Sequence, residues 1–95
     1  MDSKQRKKLR GLAHDLKPVV IIGQKGLTEE LVSATLSALN THELIKIKFN
    51  GCKDSKKEVS EEIAEKCGAA VAGVIGNIAI LFRQNPDPEK AKIVL

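Results

Sequence analysis

Apolar positions change their spacing several times along this 95-residue chain, and each change marks an element. Over residues 3–16, Leu9, Leu12, Ala13 and Leu16 recur at i, i+3, i+4 and i+7, the stripe of an amphipathic helix. Lys17-Pro18 ends it, because a residue before proline is driven out of the helical region. Val19-Val20-Ile21-Ile22 follow as an unbroken β-branched run, which predicts a strand buried on both faces. Gly23-Gln24-Lys25-Gly26 then turns the chain into a second helix over residues 29–39. Thr28 is its N-cap, Glu29 and Glu30 oppose the positive end of its dipole, and Leu27 with Val32 forms a hydrophobic staple. Leu31, Ala34, Thr35, Ala38 and Leu39 make its packed face, and Asn40 is its stop.

Residues 44–49 alternate with period two, Ile45, Ile47 and Phe49 on one face and Leu44, Lys46 and Lys48 on the other. Asn50-Gly51 signals a turn, and Ser55 with Glu58 fits a capping box opening a third helix that Gly68 closes. Val59, Ile63 and Cys67 are its core residues, while Glu58, Glu61, Glu62 and Glu65 keep its outer face acidic. Two further strands, 70–75 and 78–83, meet at Gly76-Asn77 as a hairpin. Ile78, Ile80 and Phe82 face one way, Ala79, Leu81 and Arg83 the other. From Gln84 the composition turns polar and proline-interrupted, and the pattern leaves open whether Ile93-Val94-Leu95 dock on the body. The order α-β-α-β-α-β-β predicts one α/β (α+β) domain, a four-stranded mixed sheet packed with three helices over residues 1–84, and a short tail over 85–95.

Charge changes the picture more than composition does. The formal net charge is +4, yet residues 1–25 hold seven basic against two acidic side chains, and the remainder nine against ten. The excess therefore belongs to Lys4, Arg6, Lys7, Lys8, Arg10, Lys17 and Lys25, with His14 on the same exposed side of the first helix. Such a one-sided basic surface suits a polyanion, although a run of charge also serves simply as a solvated helix face. Lys46 and Lys48 either extend the basic surface or solubilise their strand. Phe49 and Phe82 are the only aromatic residues, too few for modules that stack bases on exposed rings. Recognition then falls to charge, backbone and shape.

The chemistry of an enzyme is missing from the pattern. Cys52 and Cys67 lack metal-ligand spacing with each other or with His14 and His42, and Cys67 falls on a core position. Gly26-Leu27-Thr28 does not complete a Walker A loop, and no nucleophile–base arrangement is recognisable. The polar N-terminus and the lack of a long apolar run give the expectation of a cytoplasmic, non-membrane protein. A bare Gly-x-x-Gly is weak, and Gly73 with Gly76 supplies a second copy. Gly23-Gln24-Lys25-Gly26 differs in context: a strand before it, a helix start after it, a lysine inside. Such a loop can offer backbone N–H groups to a phosphate, or its glycines can merely satisfy a tight turn.

Leu9-Arg-Gly-Leu-Ala-His14, Leu16-Lys-Pro-Val-Val-Ile-Ile-Gly23-x-x-Gly26-Leu-Thr, His42-Glu-Leu-Ile-Lys-Ile-Lys48 and Val74-Ile-Gly76-x-x-x-x-Leu81-Phe-Arg83 occur in this order. Together they resemble the CRM domain (chloroplast RNA splicing and ribosome maturation), and in particular its stand-alone bacterial, YhbY-like form. The resemblance covers about residues 4–83. It implies a fold similar to the C-terminal domain of bacterial translation initiation factor three. It also implies RNA binding through Gly23, Gln24, Lys25, Gly26 and the adjoining basic surface, with Arg83 at the last hairpin. The partners implied are large-subunit ribosomal RNA and pre-large-subunit particles, with no cofactor and no small-molecule substrate. Family members often carry a lysine after the hairpin glycine and a tyrosine before its arginine, where this chain has Asn77 and Phe82. The competing class is a protein-interaction adaptor docking on an acidic ribosomal protein or assembly factor through the basic helix. A small nucleotide-binding enzyme using the glycine loop is a third.

Overall fold

The structure is a computed structural model that describes residues 1–93; Val94 and Leu95, whose docking the pattern leaves open, lie outside them. The elements are α1 (Ser3–Ala13), β1 (Val20–Ile22), α2 (Glu29–His42), β2 (Leu44–Phe49), a short 3-10 turn (Lys53–Ser55), α3 (Lys56–Cys67), β3 (Ala70–Ile75) and β4 (Ile78–Phe82). They form one four-stranded mixed sheet in the order β1-β2-β4-β3, with β1 parallel to β2 and the other neighbours antiparallel.

The sheet has a core on each face. On one face α2 and α3 pack on Ile22, Ile45, Ile47, Phe49 and Leu81, and contribute Leu39, Ile63, Ala64 and Cys67. On the other, α1 sets Leu9 and Ala13 against Leu44, Ala72, Ile80 and Phe82. The alternation read along β2 and β4 is thus the division between the two layers. Gly68, at φ 64, ends α3 with its N–H toward Ala64 and Glu65 carbonyls, as its position in the pattern required.

Four expectations need correction. β1 is buried on one face only: Val20 and Ile22 are buried, whereas Val19 and Ile21 are 51% and 57% exposed. It is an edge strand, and α1 packs mainly on β2, β4 and β3. Next, α1 stops at Ala13 rather than at residue 16. A helical His14 carbonyl would need the N–H of residue 18, which is proline; the Lys46 ammonium bonds it instead, at 3.0 Å. Leu16 consequently leaves the stripe and, with Leu12, Val19 and Leu44, lines an open apolar groove.

Asn40 does not stop α2, which runs on to His42 and ends at Glu43, a residue held at φ 60; Ala34 is exposed rather than packed. Lastly, Ser55 does not cap α3: its hydroxyl turns back to the Cys52 carbonyl at 3.4 Å, inside the preceding turn. The capping box belongs to α1, where Asp2 Oδ1 accepts from the Gln5 N–H at 2.8 Å and Gln5 Oε1 from the Asp2 N–H at 3.1 Å.

Candidate nucleic-acid interface

The glycine loop owes its shape to its neighbours as much as to its own residues. Gly26 adopts φ 71 and donates its N–H to the Gly23 carbonyl at 3.1 Å, which closes the turn. The N–H groups of Asn50 and Gly51 both bond the Ile22 carbonyl, at 2.8 and 3.1 Å, and so tie the segment after β2 to the start of the loop. Gly51 lies directly against it: a β-carbon there would sit 2.5 Å from Gln24 N and 2.6 Å from Gly23 C. Cys52, at φ 56, points its thiol at the Gly23 and Gln24 carbonyls from 3.7 and 3.8 Å.

Gly23 differs from Gly26. Its φ lies outside the positive range, and a β-carbon on it would meet nothing within 4 Å. Neither conformation nor internal packing calls for a glycine there. Gly11 on α1 is similar, exposed, helical and open. Gly11→Ala is expected to raise stability by about 1 kcal/mol through helix propensity, measurable as a higher urea midpoint with an unchanged slope.

The basic residues fall into two groups. Lys4, Arg6, Lys7 and Lys8 on α1, His14 and Lys17 after it, Gly23, Gln24 and Lys25 in the loop, and Lys48 on β2 are exposed. Arg10, Lys46 and Arg83 are half-buried and bonded to carbonyls. Arg10 Nη1 donates to the Ala72 carbonyl at 3.2 Å and its stem lies over Gly73, where a β-carbon would come within 2.9 Å of Cδ. Lys46 caps α1 as described. Arg83 is on the other face, its guanidinium donating to the Cys67 carbonyl at 3.2 Å and to Asn40 Oδ1; it joins α2 to the end of α3, away from the basic helix. Burial pushes the Cys67 thiol up, and Arg83 partly offsets this.

The segment after β2 and the last hairpin form a rim beside the glycine loop. Lys56 Nζ bonds the Gly76 carbonyl at 2.6 Å, and the Phe49 N–H bonds the Asn77 carbonyl at 2.8 Å, so the 50–56 segment and the last hairpin meet beside the glycine loop. An open groove of about 790 Å³ connects this rim to α1, lined by Arg6, Arg10, Lys53, Lys56, Lys57 and Gly76, with Asp54, Glu58 and Glu61 along its acidic side. Periodicity alone did not single out Lys53, Lys56 and Lys57, because that stretch reads as a helix cap. The pairing of Asn50-Gly51 with the loop left no local signal beyond a turn.

Among the described residues, no three His, Cys, Asp or Glu side chains are grouped as metal ligands, and no helix is long and apolar enough to cross a membrane.

Comparison with known proteins gives a consistent result. The CRS1 / YhbY (CRM) domain model matches residues 1–83. A protein of Haemophilus influenzae named "RNA-binding protein" is 42% identical over 96 residues, covering 100% of this chain and 94% of that one. A "Probable RNA-binding protein" of Pseudomonas aeruginosa is 34% identical over 91 residues, 95% of this chain and 88% of its own. The solution structure of a hypothetical protein from Staphylococcus aureus superposes with a TM-score of 0.83 at 28% identity, covering 99% of each chain.

Proposed function

The chain belongs to the CRS1 / YhbY (CRM) domain family, and from that premise we propose that it is a non-catalytic, cytoplasmic RNA-binding protein that assists assembly of the large ribosomal subunit by contacting its RNA. Gly23 carries this reading. A glycine that the fold itself does not need, next to an exposed lysine and at the end of a strand, leaves main chain bare for a phosphate to approach. The exposed cations of α1, with Lys17 and Lys48, supply the longer-range attraction. The acidic outer side of α3 repels phosphates and so confines the polyanion to α1 and the rim beside the loop.

Two variants test this. Gly23→Ala should leave the melting temperature unchanged or slightly raised, yet lower affinity for ribosomal RNA fragments about tenfold, roughly the 1.4 kcal/mol of one hydrogen bond from main chain to an anion. Lys4→Glu with Lys7→Glu and Lys25→Glu should weaken all RNAs alike, and should flatten the log–log dependence of affinity on salt by about 2 to 3, near 0.7–0.9 for each phosphate no longer neutralised. Filter binding across a salt series reads both. Undiminished RNA affinity in both variants would overturn the assignment, and so would a complex that survives complete nuclease digestion.

A further inference from the structure

We propose that the uncovered end of the sheet, on the face that carries α1, is a ledge on which unpaired RNA bases lie. This rests on the RNA-binding reading and extends it to the form of RNA bound. Strand register sets four side chains in one transverse row: Ile21 pairs with Lys48, Lys48 with Ile78, and Ile78 with Ile75. The row crosses the whole sheet from one edge strand to the other, roughly 14 Å at the usual strand spacing. Ile21 and Ile75, at its two ends, are 57% and 59% exposed, more than any other large apolar side chain among the described residues.

Their exposure has a structural cause. α1 packs further along the strands, on Leu44, Ala72, Ile80 and Phe82; Ile78 is half-buried against that core, and Ile21, Lys48 and Ile75 stay exposed. Two bare isoleucines that flank an exposed lysine form a surface that is apolar to flat bases and cationic to the chain carrying them. The row also stands beside the proposed phosphate contact, since Ile21 is two residues before Gly23 and Ile75 directly precedes Gly76. Phe49 and Phe82 are buried at 1% and 6% exposure, so neither phenylalanine ring is available for stacking, and aliphatic side chains provide the apolar contact that aromatic platforms give elsewhere. A duplex keeps its bases stacked inside and presents phosphates and 2′-hydroxyls, so it gains nothing from such a ledge.

The test compares an unstructured oligouridine with an RNA duplex of equal length, by fluorescence anisotropy at one salt concentration. The double variant Ile21→Thr, Ile75→Thr keeps β-branched residues in both strands, and its melting temperature should match that of the parent chain. Affinity for the single strand should fall about tenfold, while affinity for the duplex stays within twofold. Equal losses on both RNAs, or no loss on either, would overturn the ledge. It would equally fail if the variant bound both RNAs normally but lost a ribosomal protein freed of RNA, for then the isoleucines dock a protein. If Gly23→Ala and the triple lysine variant also left RNA affinity intact, RNA binding through this rim would fall with it.

Discussion

Glu43→Ala is expected to lower stability by about 4 kcal/mol, a drop of roughly 20 °C in melting temperature for a domain of this size. Glu43 is 1% exposed and gathers three backbone donors onto one carboxylate: Asn85 N–H on Oε2 at 2.6 Å, Lys92 N–H on Oε1 at 2.6 Å, and Ile93 N–H on Oε1 at 3.1 Å. Its own carbonyl accepts the Arg83 N–H at 2.9 Å, and its N–H caps α2 at Leu39. The side chain thereby folds the segment after β4 back onto the body, where Ile93 packs on the α1 core. Alanine leaves three inward N–H groups without an acceptor. Glu43→Gln should cost about half as much, because one oxygen remains while the amide nitrogen opposes a backbone donor. Since Glu43 sits at φ 60, glycine relieves the backbone but does not restore the carboxylate; Glu43→Gly should therefore remain nearly as destabilised as alanine. Recovery close to the parent in the glycine variant would show that backbone strain, not the clasp, dominates.

The same clasp sets a pH dependence. Burial pushes the Glu43 carboxyl up, but the three N–H groups and the nearby Lys92 charge outweigh it, and the group lies below its ordinary 4.5. With the folded value depressed, the stabilising contribution is fully present above about pH 4.5 and is lost as pH falls through the lower folded value. Urea midpoints taken downward from pH 6 should decline in this window for the parent chain and less steeply for Glu43→Gln. Parallel declines would assign the acid sensitivity to other carboxyls.

Gly51→Ala is the second large effect, expected to cost about 3 kcal/mol and to lower RNA affinity at the same time. The new β-carbon would meet main chain, Gln24 N at 2.5 Å and Gly23 C at 2.6 Å, and main chain cannot swing aside as a flexible side chain can. Either the loop is pushed outward or the segment after β2 retreats and loses the paired bonds to the Ile22 carbonyl. Gly73→Ala is the contrast, because its β-carbon meets the Arg10 stem, which can shift at small cost. Melting curves and RNA titrations on the two variants check this; a Gly51→Ala protein with parental stability and affinity would mean that the loop does not depend on its support.

Much of the fold that carries the candidate site was legible in the chain, and the illegible part has a common character. Thr28 caps α2 with its hydroxyl accepting the Leu31 N–H at 3.1 Å, a bond spanning three residues that Thr28-Glu29-Glu30 announces. By contrast, the Glu43 clasp joins residues 42 to 50 positions apart, and Arg83 reaches back 43 positions to Asn40. Within its resembling motif, Glu43 read only as the residue between a helix and a strand.

By itself the sequence determined the elements, their order, the two-sidedness of β2 and β4, the cap at Thr28 and the stop at Gly68, because each depends on side-chain period or backbone conformation within a few residues. Only the tertiary structure decided which faces are covered. α1 packs mainly on β2, β3 and β4, so the apolar edge strand β1 is left half bare, and the glycine loop takes its support from Gly51 and Cys52. Those outcomes depend on contacts between segments distant in the chain, and local periodicity carries no record of which surface another segment will reach.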